Sequence, residues 1–278
     1  IIKVSVKIEG TAVAEILEPL NASKIRTKSS NNKVALIIGI EQYEQSPKAS
    51  YANLDAKYFY DYAIKAFGVK KQNINMLIDQ DASLSKTYTA LFKWLPGKIK
   101  PNKTDLIIFF SGHGLASSDG KEKYILPNNA DPDLLSKTAL SRNELFDQIV
   151  KLKPKSVTMF FDTCYSGQTR DERMLVAGKR PIIIVPDEQE TPNNFTIFSA
   201  SNFDQTSTSI EGAKHGIFSY YLMKGLEGNA DDNQDKEITN GELIAYLKTN
   251  VSREAFSQAR EQDPMLVGNH NLVLMRYR

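Results

Sequence analysis

From residue 33 onward, short apolar runs with no face left for water alternate with longer segments whose apolar residues recur at helical spacing. Few architectures satisfy that alternation. The runs over 34–40, 73–78, 105–110, 156–161 and 195–200 suit strands of a parallel sheet covered on both sides. The segments over 54–67, 84–95 and 142–152 supply the crossover helices. Right-handed crossovers place such helices on both faces, so the expected fold is an α/β, three-layer α/β/α sandwich around a mostly parallel central sheet. Further helices are expected over 216–226 and 240–256, and a closing strand over 272–275.

Two stretches break the rhythm. Residues 4–8 alternate apolar and polar and read as a strand, and 21–32 is so polar that it reads as a linker, which sets 1–32 apart from a main domain over 33–278. Within that domain, 168–194 carries three prolines and scattered charges and reads as a long loop between a first part, 33–167, and a second, 195–278.

With 278 residues the chain can bury a core without covalent staples. Its formal net charge of +2 is too small for the basic stripe that nucleic acid needs, so no nucleic-acid partner is expected. No apolar run approaches the ~20 residues of a membrane helix, so no membrane partner is expected either. The sequence opens at Ile1 with no charged head before an apolar stretch, so any targeting segment is expected to have been removed or to lie outside it. A single cysteine, Cys164, excludes an intramolecular disulfide and fits a reducing compartment, with the cytoplasm as the expected location. Three histidines and one thiol make a poor zinc cage.

Parallel sheets present chemistry at the C-terminal ends of their strands, and two such ends here turn polar and glycine-rich. One is Ser111-Gly112-His113-Gly114; the other is Asp162-Thr163-Cys164-Tyr165-Ser166-Gly167. A thiol of pKa ~8.5 is mostly protonated at neutral pH and needs a nearby base to become a nucleophile. Placed on neighbouring strands, His113 and Cys164 form such a pair.

These two blocks resemble the signature blocks of the caspase-like cysteine peptidases, of the metacaspase and orthocaspase type. The resemblance spans about 33–278, with 33–167 similar to the large-subunit part and 195–278 to the small-subunit part. It implies a Cys164–His113 dyad cleaving peptide bonds, with an oxyanion held by the N–H groups of Gly114 and Cys164. No cofactor is then required, and the expected partners are protein or peptide substrates, with the chain itself a monomer. In this family acidic residues receive an arginine or lysine before the cut. The corresponding positions are Asp162, Asp204 and Asp55, with Ser111 beside them; several carboxylates in one pocket favour a guanidinium or ammonium group. The family's cysteine beside the Asp55 position is Ala52 here. Self-processing in the connecting loop is a further expectation, with Arg170, Arg173, Lys179 and Arg180 as candidate sites. The alternative reading is a catalytically weak scaffold that keeps the fold for protein binding.

One more pattern concerns metal. Asp231, Asn233, Asp235, Glu237, Thr239 and Glu242 stand at the ligand spacing of a calcium loop, although Lys236 replaces its glycine. Thr239 and Glu242 also make a capping box for the next helix, which needs no ion.

Overall fold

The computed structural model describes residues 17–163, 165, 191–202, 205 and 207–277. In chain order its elements are β1 (Lys33–Gly39), α1 (Ala52–Lys65), β2 (Ile74–Ile78), α2 (Leu84–Thr89), α3 (Leu95–Lys98), β3 (Asp105–Ser111), β4 (Gly114–Ala116), β5 (Lys123–Ile125), α4 (Leu135–Thr138), β6 (Leu140–Ser141), α5 (Arg142–Leu152), β7 (Ser156–Asp162), β8 (Phe195–Ser199), β9 (Ser209–Ile210), β10 (His215–Gly216), α6 (Ile217–Lys224), β11 (Glu237–Thr239), α7 (Asn240–Ser257), β12 (Met265–Val267) and β13 (Val273–Arg276).

The main sheet runs β12-β8-β7-β3-β1-β2, with every pair parallel except the β12–β8 edge. Strand periodicity divides its apolar residues between two cores. Val34, Leu36, Ile38, Ile108, Phe110, Met159 and Phe161 face one side, where Leu91, Leu95 and the α5 residues Leu145 and Ile149 cover them. Ala35, Ile37, Ile107, Phe109, Phe160 and Phe198 face the other side, under α1, α6 and α7. There the α1 residue Phe59 stacks on Phe109 with ring centroids 4.3 Å apart. The three-layer α/β/α sandwich follows directly from this alternation. Between α2 and α3 the helix widens into a π-turn over Ala90–Trp94. Pro96 has no N–H to continue the regular ladder there.

Three smaller sheets pair β4-β5-β6, β9-β10 and β11-β13. The parallel register brings the ends of three main strands level, with Gly39 opposite Ser111 and Ser111 opposite Asp162. That common edge carries the candidate site.

The stretch 21–32 does more than connect. Ile25 is fully buried in the α1 core, Thr27 Oγ1 donates to the Lys65 carbonyl at 2.8 Å, and Ser30 bridges to Val69. A single buried isoleucine among polar residues has no periodicity to reveal it. The strand expected over 4–8 lies outside the described residues.

The same segment is latched at Glu227, whose side chain is wholly buried. Glu227 accepts from the Asn21 N–H and the Tyr62 hydroxyl, each at 2.6 Å, and from Lys224 Nζ at 3.1 Å. Burial alone would raise its pKa, but these donors and the lysine charge outweigh burial and hold it below the ordinary carboxylate value. A depressed carboxylate stabilises the fold fully above its unfolded pKa of about 4.3 and loses that contribution as pH falls through the lower folded value. Glu227→Gln is therefore expected to cost about 1–3 kcal/mol at neutral pH. Thermal melts of both proteins from pH 7 to pH 3 should show the gap closing towards the acid end.

Candidate active site

Two glycines decide how the strand edge is built. A Cβ at Gly39 would stand 2.3 Å from Ala56 Cβ and 2.6 Å from the Ala52 carbonyl, so glycine is what lets α1 rest on the end of β1. That contact carries Asp55, in the first turn of α1, onto the end of the neighbouring strand β3. Ser111 Oγ donates to Asp55 Oδ2 at 3.1 Å. A Cβ at Gly112 would stand 2.6 Å from the Tyr43 hydroxyl. The space is needed because that hydroxyl accepts the His113 N–H at 2.7 Å.

The His113 ring is held on two sides. Tyr43 packs on it at a centroid distance of 4.7 Å, and Nε2 lies 2.8 Å from the Pro47 carbonyl. A carbonyl can only accept, so Nε2 carries a proton and Nδ1 is the basic nitrogen of the neutral ring. The same carbonyl also steadies the imidazolium once Nδ1 is protonated. His113 is 3% exposed.

Cys164 lies outside the described residues. The chain on either side of it is described: β7 ends at Asp162, Thr163 is buried, and the Tyr165 carbonyl accepts from the Ala116 N–H at 3.2 Å. That bond ties the segment after Cys164 to β4, whose first residue, Gly114, directly follows His113. Gly114 sits opposite Ile125 of β5, buried at the same edge.

Of the acidic residues expected to receive substrate, Asp55 and Asp162 come together at this edge and Asp204 lies outside the described residues. Both described carboxylates are 0% exposed, a burial that ionised groups tolerate only with donors in place. Asp162 Oδ2 accepts from Ser219 Oγ of α6 at 2.6 Å. Asp55 accepts from Ser111, from His215 Nδ1 at 2.8 Å, and from the Gly216 N–H at 3.3 and 3.2 Å. Ser111 is thus the link between the two, bonded to one and in register with the other. The loop residues Arg170, Arg173, Lys179 and Arg180 lie outside the described residues.

Several contributors carried no readable sequence signal. Pro47 acts through its backbone carbonyl, which no side chain advertises. Gln262, fully buried, accepts the Thr208 N–H at 2.8 Å and donates to the Ala200 carbonyl at 3.0 Å, fixing both ends of the loop after β8. His215 was one of only three histidines and directly precedes a glycine and an apolar helix, a placement that could have singled it out.

The residues of the calcium-loop pattern bond mainly to the backbone of their own turn. Among the described residues no three His, Cys, Asp or Glu side chains gather closely enough to hold a metal ion. Asp231 accepts from the Tyr277 hydroxyl at 2.7 Å and from the N–H groups of Asp235 and Lys236. Asn233 and Asp235 accept the backbone N–H groups of residues 235 and 237, and Glu237 pairs with Arg276. Glu242 closes the capping box on Thr239. These residues form an Asx-rich turn and a helix start, and Lys236 takes the left-handed backbone, φ 66°, that the glycine of a calcium loop would supply.

Comparison with known proteins places these features in context. The family model described as Peptidase_C14, Caspase domain, matches residues 32–273. Metacaspase-4 of Arabidopsis thaliana is 23% identical over 261 residues, covering 88% of this chain and 60% of that protein. Metacaspase-1 of Eremothecium gossypii is 25% identical over 173 residues, covering 56% of this chain and 37% of that protein. The chain thus spans less than two thirds of the length of these relatives. Among solved structures, a protein of Geobacter sulfurreducens superposes with a TM-score of 0.60 at 15% identity, covering 89% of this chain and 97% of that one. Caspase-1 from Spodoptera frugiperda superposes at 0.57 with 14% identity, covering 91% and 92%. Both likenesses are of fold.

Proposed function

Since the chain belongs to the caspase-domain family of cysteine-type peptidases, we propose that it is an endopeptidase in which Cys164 and His113 cleave the peptide bond that follows an arginine or lysine. The observation that carries the reading is the His113 ring. Its Nε2 proton is committed to Pro47, so the basic nitrogen is Nδ1, on the same strand edge as the segment that carries the only cysteine.

In this mechanism Nδ1 takes the Cys164 proton and the thiolate attacks the substrate carbonyl carbon. The carbonyl π electrons move to oxygen, which the N–H groups of Gly114 and Cys164 stabilise by about 3 kcal/mol per donor. As the C–N bond breaks, Nδ1–H gives its proton to the leaving amine and a thioester remains. Water then attacks the thioester, with His113 as base, and releases the acid product and the thiol. Asp55 and Asp162 support the choice of a basic side chain, since a cation satisfies two buried carboxylates where an aspartate would add a third negative charge. Matched fluorogenic peptides ending in Arg, Lys or Asp test the reading: turnover of the first two and none of the third is expected, and turnover confined to Asp would reject it.

The basic residues of the connecting loop make self-cleavage part of the proposal. Mass spectrometry of the purified protein should find new termini after Arg170, Arg173, Lys179 or Arg180, absent from Cys164→Ala. An active chain that stays intact would reject this element alone.

A further inference from the structure

His215 has no part in the proposed bond-breaking steps, yet it is almost wholly buried and its ring meets the Asp55 carboxylate. We infer that His215 is a positioning residue for substrate selection, whose imidazole fixes the Asp55 carboxylate in the orientation that receives a basic side chain. The inference rests on the basic-residue reading above and adds to it a residue from the second part of the chain.

The geometry supports one orientation of the ring. Nδ1 lies 2.8 Å from Asp55 Oδ1, and a carboxylate only accepts, so Nδ1 carries a proton. Tyr58 of α1 packs edge-on at a centroid distance of 4.7 Å, and Tyr220 of α6 lies at 6.5 Å, which together hold the ring plane. His215 stands on the two-residue strand β10 and reaches a helix 160 positions earlier in the chain. The adjacent Gly216 N–H points at the same carboxylate, so the β9–β10 hairpin grips Asp55 with two donors while Ser111 supplies a third.

The identity of the side chain matters. A lysine or arginine in this place would cancel the Asp55 charge and repel an incoming cation. The imidazole instead meets Asp55 through a single Nδ1–H donor, which fixes one carboxylate oxygen. Histidine thus orients the carboxylate through one short donor on a ring held by Tyr58 and Tyr220.

The test compares three variants in the full chain by Michaelis kinetics on Arg and Lys peptides. His215→Asn keeps an N–H donor near the place of Nδ1, His215→Gln moves it towards the place of Nε2, and His215→Leu removes it. We expect His215→Leu and His215→Gln to raise KM by about tenfold or more with a much smaller change in kcat, and His215→Asn to recover most of the loss. Alkylation of Cys164 by iodoacetamide, which has no basic group, should keep its parent rate in all three. KM values within about twofold of the parent in His215→Gln, or equal losses in the Asn and Gln variants together with slowed alkylation, would overturn the inference. A parent protein that turns over neither Arg nor Lys peptides would instead reject the reading of the pocket, so the two failures are distinct.

Discussion

Cys164→Ala is expected to lower peptide turnover by about 10⁴-fold or more while shifting Tm by no more than about 4 °C. The asymmetry has a physical basis. In the proposed mechanism the sulfur forms the covalent bond, and neither described hydroxyl nearby replaces it: Ser111 donates to Asp55, and Thr163 would have to be activated from a far higher pKa. Alanine occupies the same backbone with one fewer heavy atom, so the fold loses little. His113→Ala should be comparably damaging, because in the proposed mechanism the Nδ1 that accepts the thiol proton also returns it to the leaving amine. Rate assays with both variants, beside melts that establish folding, check the pair. Turnover within tenfold of the parent in either would remove the dyad from the mechanism.

The second large effect falls on selectivity. Asp162→Asn should lower kcat/KM for Arg and Lys peptides by about 10²- to 10³-fold, the loss expected when one partner of a desolvated charge pair is neutralised. Asparagine is chosen because its side-chain oxygen still accepts the 2.6 Å bond from Ser219, so the end of β7 keeps its anchor to α6. Asp162→Ala removes that bond as well and should cost as much in rate with an added loss of stability. The effect should reach Arg and Lys together and leave alkylation of Cys164 by a neutral reagent near the parent rate. An Asp162→Asn protein that cuts after Arg as well as the parent would show that the basic side chain is read elsewhere.

Much of this was legible in the sequence because burial imposes pattern. The strands β1, β3 and β7 are apolar almost throughout, and the helices between them show apolar stripes, so 34–40, 105–110 and 156–161 announce themselves. The capping box at Thr239 and Glu242 was readable from two residues at fixed spacing. Short elements were not. Edge strand β12 is three residues between Pro264 and Gly268, and β4 to β6 and β9 to β10 are two or three residues each, too brief for any periodicity to form. At the site, His113 stood out through its flanking glycines, whereas the Pro47 carbonyl and the His215–Asp55 contact join parts of the chain far apart in sequence. The calcium-loop spacing falls on side chains that cap backbone N–H groups in a turn, which share the residue types of metal ligands.

A single cysteine makes one measurement unusually direct. Peptidyl chloromethyl ketones ending in Arg or Asp, with otherwise identical sequences, should be incubated with the protein and followed by intact-mass spectrometry. The Arg reagent should add one label per chain, on Cys164, at least about 100-fold faster than the Asp reagent, as the proposed His113 activation and acidic pocket require. No labelling by the Arg reagent, or labelling at the same rate by both, would contradict the account.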